Sequence, residues 1–523
     1  MTWPHWVVVP VVLPLVAGAV CVLLERRAPH AARALSIGTA VALLGVALHL
    51  AGVAATGTVH AYLLGNWRAP FGIALALDRL SAMMLVLTAV VAVASVLYAG
   101  GGGARDAHDA RGSHYHALFQ FQLMGLNGAF LTADLFNLFV FFEVLLIASY
   151  GLLLHGGGAA RLKAAIHYVG FNLTGSALFL IAVALLYGIT GTLNMADLAQ
   201  RVAELGPGKA ALVRAAALLL IVVFGVKAAL LPLYFWLPDT YRAAAAPVAA
   251  LFAIMTKVGV YCVARVTTLI FGEGAGVATD IADPWLAWLA IGTLTLAALG
   301  TLAAVRLRTL VSYLVIASAG TLLLAIGLGS AATLGAALFY IVNSTLVAAA
   351  LFLLVDSLAS GRGEADDAMI PAPLAYRTAY GVLFFLFALE AAGLPPTGGF
   401  IGKALLLQAS VDQPLMVATW SAVLVSGLGM MIAIARAGST VFWKAVDANR
   451  MQMVAARPAH AERIAIGWLT LAMLGVVLNA GALTRYADAT AGQLLGRRAY
   501  IDAVLGAQPT SPAWNPREGV TKP

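Results

Sequence analysis

Charge is what this sequence has least of. Only 10% of its 523 residues are Asp, Glu, Lys or Arg, while 62% are hydrophobic. Soluble domains carry roughly 25% charged residues. The deficit runs along most of the chain, so no stretch is polar enough to form a soluble domain with an active site of its own. Cysteine is nearly absent. Cys21 and Cys262 lie far apart in apolar runs, which excludes a disulfide framework, a Cys-based metal site, a haem attachment or an iron–sulfur cluster. No dinucleotide fingerprint or zinc-protease motif is present. TGGFIGKA (397–404) resembles a phosphate-binding loop only in part, because its first glycine is misplaced and Ala404 stands where Ser or Thr would be needed. No metal and no cofactor are therefore expected, and energy must come from an ion gradient or from partner subunits. Period-two alternation is missing as well, which argues against a membrane β-barrel. The net charge of +8 is scattered over short connections, a pattern that sets membrane orientation and does not build a nucleic-acid surface.

What is there is apolar and long. Runs at 4–24, 34–54, 80–100, 115–132, 135–154, 164–188, 210–231, 247–270, 285–304, 309–328, 333–355, 379–395, 417–435 and 463–483 are each near the ~20 residues needed to cross the hydrocarbon core. An all-α membrane protein of about fourteen transmembrane helices is expected. MTWPHWVVVP has no basic region before its apolar run and reads as the start of a first span, not a cleaved signal. GGGARDAHDARGSH (101–114) and SGRGEADDA (360–368) read as polar loops, and TGTLNMADLAQRVAELG (190–206) as a short interfacial helix. The tail from about 485 to 523, which includes QPTSPAWNP, reads as extended or disordered.

Two spans continue past a proline-rich break. KAALLPLYFWLPDTYRAAAAP (227–247) contains Pro232 and Pro238, and EAAGLPPTGGFIGKALLLQAS (390–410) contains Pro395 and Pro396. Proline lacks an N–H and frees the carbonyl four residues back, here those of Ala228 and Ala391. Interrupted helices in both halves of a transporter point to a pathway near the midplane; two ordinary kinks are the alternative. No residue-level repeat is visible, and a lysine lies before one break but after the other.

Counting charges yields both orientation and site. Odd-numbered connections hold about 17 Lys and Arg and even-numbered ones about 6, with Arg265 counted among the latter. The positive-inside rule puts the odd connections in the cytoplasm and both termini outside. After the tail is set aside, three basic residues remain: Lys227, Lys257 and Lys403. All lie in apolar spans, where a central charge costs about 2.5–3.5 kcal/mol. Snorkelling could explain Lys227 or Lys403 but not Lys257, at the middle of its span. Glu143 lies within LFNLFVFFEVLLIASYGLLL, and a buried carboxylate needs a partner or must be neutral. A structural ion pair with a lysine is the alternative. Glu390 also lies in a span, before the second break. Asp134 reads as a helix N-cap, and Asp356 as interfacial.

A desolvated lysine is driven to release its proton and a nearby carboxylate favours keeping it, so a Glu–Lys pair can exchange protons when a neighbouring charge moves. Glu143 could switch Lys227, with Lys257 at the centre and Lys403 as the distal exit. His167, Ser318, Thr321, Asn343, Ser344 and Thr345 are candidate fillers, although each alone is more often a helix-packing contact.

NGAFLTADLFNLFVFFEVLLIASYGLLL (127–154), LLPLYFWLPDTY (230–241), ALFAIMTKVGVY (250–261) and GLPPTGGFIGK (393–403) closely resemble the D-type subunits of the multisubunit Na⁺/H⁺ antiporters of the Mrp, Mnh or Pha type, relatives of the antiporter-like subunits of respiratory complex I. The resemblance runs from about residue 70 to 440. It implies two inverted five-helix repeats with two broken helices, over about 111–270 and 284–440, preceded by N-terminal helices (1–110) and followed by a last helix and tail (460–523). It implies that Glu143, Lys227, Lys257 and Lys403 carry protons and that the chain sits in a bacterial inner membrane. The implied partners are A/B-, C-, E-, F- and G-type subunits, and the ions moved are H⁺ and a monovalent cation, with Na⁺ the expected one. This chain departs from many relatives by having Asn343 and Ala348 where they carry histidine or lysine. Asn cannot carry a proton as His can. Glu390 stands where an apolar residue would be expected, with Lys403 as its one suggested partner.

The expected function is thus secondary transport and not enzymatic catalysis: H⁺ in, coupled to monovalent cation out. The alternatives are a proton-pumping component of complex I or of a membrane-bound hydrogenase, and a structural subunit that transports nothing. Tyr234 and Tyr241 favour the antiporter over complex I, whose subunits resemble PLHxWLPDAH at this place. Four buried charges argue against a scaffold, which could avoid their cost.

Overall fold

The computed structural model describes residues 3–100, 114–444 and 459–509. Most of the loop at 101–114, Arg105 and Arg111 within it, Arg450, Arg457 and nearly all of QPTSPAWNP lie outside the described residues. The helices are α1 (Val9–Leu24), α2 (Pro29–Ala54), α3 (Arg79–Ala99), α4 (Tyr115–Leu131), α5 (Leu135–Leu154), α6 (Ala159–Thr190), α7 (Met195–Ala203), α8 (Ala210–Ala228), α9 (Trp236–Ala243) and α10 (Ala246–Leu269). They continue with α11 (Asp283–Ala303), α12 (Leu307–Gly327), α13 (Ala331–Ser360), α14 (Arg377–Ala392), α15 (Gly398–Ala409), α16 (Met416–Gly438), α17 (His460–Leu478), α18 (Ala480–Leu495) and α19 (Arg497–Leu505).

Each of the expected apolar runs is a helix. Among the described residues, 11 are long and apolar enough to cross a membrane. The others are α1 and α14, of 16 residues, and α4, of 17. Helix starts are set by side-chain caps: Asp78 before α3, Asp134 before α5, Asn194 before α7, Ser330 before α13 and Thr397 before α15 each accept a backbone N–H of the first turn. The expected short helix within 190–206 is α7.

The fold is the expected helical membrane class, with one small addition: β1 (His60–Leu63) and β2 (Ala74–Leu77) form an antiparallel hairpin, His60 opposite Leu77 and Leu63 opposite Ala74. One expectation is corrected: the tail is not extended up to residue 505. α18 and α19 bury Ala487, Thr490, Ala491, Leu494, Tyr500, Ile501 and Val504, so helical spacing of a few apolar residues wins over a polar average composition.

Burial sorts the spans. The most apolar stretches of α10, α12 and α13 are 100%, 94% and 94% buried, whereas those of α2, α6, α16 and α17 are at most 39% buried. The outer helices turn residues such as Leu48, Ile166, Leu173, Val417 and Leu471 outward, as lipid contact requires. α10, α12 and α13 form a centre screened from lipid by the rest. Two spans are interrupted: α8 gives way to α9 across 229–235, and α14 to α15 across 393–397. Each break falls in the fourth span of a run of five, α4 to α10 and α11 to α16.

Candidate proton-relay site

The site begins on α5. The Asp134 side chain accepts the Asn137 N–H at 2.8 Å and fixes the helix start, which puts Glu143 about two turns inside. Ser176 Oγ of α6 donates to Glu143 Oε1. One turn earlier on α6, Asn172 Oδ1 accepts from Lys227 Nζ at 3.1 Å, and Asn172 Nδ2 is held on the Tyr168 carbonyl at 2.9 Å. Residues four apart share a helix face, so α6 presents one polar side chain to the glutamate and one to the lysine. The Glu143 carboxylate lies within electrostatic reach of Lys227. The Lys227 ammonium also sits 5.7 Å from the centre of the Phe142 ring, a cation–π contact. α8 ends one residue beyond Lys227, and the Trp236 indole N–H donates to the Val226 carbonyl at 3.0 Å across the break.

The centre is Lys257, fully buried on α10. Its Nζ donates to Ser318 Oγ of α12 at 2.5 Å, and that hydroxyl donates to the Val315 carbonyl. Gly259 sets how close α10 comes to α8: a side chain there would collide with the backbone of Lys227 and Ala228. The glycine therefore brings the helix of the central lysine onto the broken end that carries Lys227.

The second break holds Lys403 differently. Its Nζ donates to the carbonyls of Ala392 at 2.8 Å and Ala391 at 3.3 Å. These are C-terminal carbonyls of α14, and Ala391 is the one that Pro395 is expected to free. They carry the negative end of the helix dipole, which favours a cation. Glu390 does not pair with Lys403. Its Oε2 accepts the Gly399 N–H at 3.1 Å, so this carboxylate caps the positive start of α15. Among the described residues none of the three lysines makes an ion pair; each is held by neutral oxygen.

Of the candidate fillers, Ser318 alone touches a lysine. Thr321, Ser344 and Thr345 donate to carbonyls of their own helices, the usual way such residues settle inside a helix. His167 is exposed on α6 and faces away from the interior. Asn343 is buried against Gly398 and Gly399. Pro232, Pro395 and Pro396 lie in the breaks, while Pro238 lies in the first turn of α9, where proline is tolerated. Asn172 and Ser176 do not stand out in the sequence. The one signal for them is the four-residue spacing Tyr168, Asn172, Ser176 within one span.

The placement of Arg265 is also corrected. It is no loop residue but lies buried on α10, its Nη1 2.6 Å from Asp78 Oδ2. Its guanidinium lies over the rings of Tyr261 and Tyr500, 5.4 and 5.1 Å from their centres. A further charged cluster lies where the loop after α13 meets α12. There burial pushes the Asp367 carboxyl up, but Arg308 and Arg306 outweigh it and hold the group below the usual carboxylate range.

Comparison with known proteins identifies the fold. Residues 132–430 match the family described as NADH:quinone oxidoreductase/Mrp antiporter, transmembrane. The chain is 41% identical to the D subunit of a probable K⁺/H⁺ antiporter of Rhizobium meliloti, over 96% of this chain and 98% of that protein. It is 34% identical to the D subunit of the Na⁺/H⁺ antiporter of Bacillus subtilis, over 96% and 99%. A chain of the Mrp complex from Dietzia sp. superposes with a TM-score of 0.83 at 25% identity, covering 97% of this chain and 100% of that one. A chain of respiratory complex I from Thermus thermophilus superposes with a TM-score of 0.76 at 25% identity, covering 93% and 99%. A multi-pass membrane protein with this fold and this degree of identity belongs to the NADH:quinone oxidoreductase/Mrp antiporter family, among its antiporter D subunits.

Proposed function

We propose that this chain is the proton-translocating subunit of a multisubunit monovalent cation/proton antiporter, and that Glu143, Lys227, Lys257 and Lys403 carry the proton. The observation that carries the reading is the state of the lysines. Three buried ammonium groups are each hydrogen-bonded to neutral oxygen and none to a carboxylate, so none is locked as half of a fixed ion pair. Glu143 would act as the switch: its charge reaches Lys227, and Ser176 and Asn172 keep the two groups side by side without fusing them into a fixed ion pair. Proton transfer then proceeds through Lys257 to Lys403. His167 has no part in this path, and Thr321, Ser344 and Thr345 would have to rotate away from their own helices to join it.

The relatives are named for K⁺ and for Na⁺, so the coupled ion is assigned as a monovalent cation, with Na⁺ the first to test. The partner subunits would be of the A/B, C, E, F and G types. The complex I reading draws on the same fold, and neighbouring genes separate the two. The test is cation/proton exchange in everted vesicles. The intact complex should exchange Na⁺ or K⁺ for H⁺, and vesicles lacking this subunit should not. Undiminished exchange without it would end the reading. The basic-residue asymmetry further supports an inner-membrane orientation with both termini periplasmic. A C-terminal reporter active only in the cytoplasm should be silent, and strong activity would reverse the topology.

A further inference from the structure

The second break contains a buried carboxylate that the relay above does not use. Glu390 is 5% exposed, on the last turn of α14. As a cap it could be purely structural, but its surroundings are not those of a fixed cap. Asn343 of α13, 1% exposed, lies beside it. Gly398 and Gly399 allow this approach, because a side chain on Gly398 would collide with the Asn343 amide. Neither Oδ1 nor Nδ2 of Asn343 has a hydrogen-bond partner of normal geometry. The amide nonetheless lies close enough to the Glu390 carboxyl to act on it, so its ionisable neighbour is this glutamate.

An amide beside a carboxyl group suits a group that changes protonation state. Its NH₂ can donate to the carboxylate, and its C=O can accept from the carboxylic acid. The backbone of the break is arranged the same way. Carbonyls at the end of α14 hold the Lys403 ammonium, and an N–H at the start of α15 holds the Glu390 carboxylate. The two charges are held apart by opposite helix ends, with no ion pair between them among the described residues. Tyr340 of α13, packed against Gly402, is a titratable side chain on the face of α13 that meets α15.

We propose that Glu390 is a proton carrier of the distal break, taking the proton that Lys403 releases, with Asn343 as its positioning residue. In this step an N–H bond of the Lys403 ammonium breaks and an O–H bond forms on Glu390, through solvent drawn into the break. The pair becomes neutral amine and carboxylic acid. Both helix-end attractions weaken together, and Glu390 then delivers the proton onward. The proposal rests on the relay reading given above.

The test is Glu390→Gln in the full antiporter complex, assayed for exchange in everted vesicles and normalised to assembled complex. Gln keeps an oxygen for the Gly399 N–H but carries no exchangeable proton. Exchange should fall at least tenfold. A normal rate with a normal pH profile would reduce Glu390 to a cap and overturn the proposal. If the variant does not assemble, Asn343→Ala decides, since it leaves the cap in place. It should slow exchange several-fold and displace the pH profile, and an unaltered rate and profile would overturn the proposal. Glu143→Gln and Lys257→Arg serve as controls. If both retain full exchange, the relay reading itself has failed. If both lose exchange while Glu390→Gln keeps it, this inference alone has failed.

Discussion

Two kinds of buried cation share helix α10. Arg265 and Lys257 lie about two turns apart and are both buried, yet their surroundings are opposite. Arg265 has everything a permanent charge needs: a carboxylate at 2.6 Å, itself anchored by a capping box with Ser81, and two aromatic faces. Lys257 has one hydroxyl. Arginine does not release its proton in a protein, whereas a desolvated lysine does so readily. On the relay reading proposed above, the same helix carries one charge built to stay and one built to move. The difference lies in the residue type and its partner, not in depth of burial.

The sharpest way to break this comparison is to give Lys257 the other residue's chemistry. In Lys257→Arg the charge remains but cannot leave. Exchange in vesicles should vanish with the complex still assembled. Full exchange by an assembled variant would rule out proton transfer through this side chain. Glu143→Gln should have a comparable effect, because Gln can still accept from Ser176 but has no charge to act on Lys227. Persisting exchange would make Glu143 a packing residue, and loss of the assembled complex would make it a structural partner.

Breaking the fixed pair should do something else. Asp78→Ala leaves the Arg265 guanidinium buried without its carboxylate, a loss of about 3–5 kcal/mol, and removes the cap of α3. Assembly and thermal stability should drop, while exchange per assembled complex stays unchanged. A specific loss of exchange at normal assembly would place Asp78 in the relay.

The same contrast explains what can be read from sequence. Glu143, Lys227, Lys257 and Lys403 stand out because ionised groups are too costly to leave in a span by accident. Asn172 and Ser176 do not, because neutral polar residues are common in membrane helices and nothing local marks the two that meet a charge. Arg265 reads as part of a connection because it lies near the end of its run, and its partner Asp78 lies at the start of another span. Tyr500, which covers it, belongs to a tail whose composition hides its helical packing. The breaks are legible from their prolines. The opposite use of the second break, carbonyls for Lys403 and an N–H for Glu390, requires the fold.

The mildest test exchanges the roles in the other direction. Arg265→Lys retains a positive charge that can still approach Asp78. It loses the planar guanidinium, and with it the second contact, Nη2 to the Tyr261 hydroxyl at 3.4 Å, and the stacking between Tyr261 and Tyr500. Cation–π contacts of this kind contribute about 0.5–2 kcal/mol, so the melting temperature of the complex should fall by a few degrees. Exchange should not change, because a lysine beside a carboxylate is held in its charged form and no relay group contacts position 265. The informative measurement is exchange per assembled complex across the pH range, set beside Lys257→Arg. If Arg265→Lys alters the pH profile while the melting temperature holds, position 265 communicates with the proton path and the division between fixed and mobile charge on α10 is wrong. If only stability moves, burial itself does not make a lysine a carrier here, and the identity of its partner does.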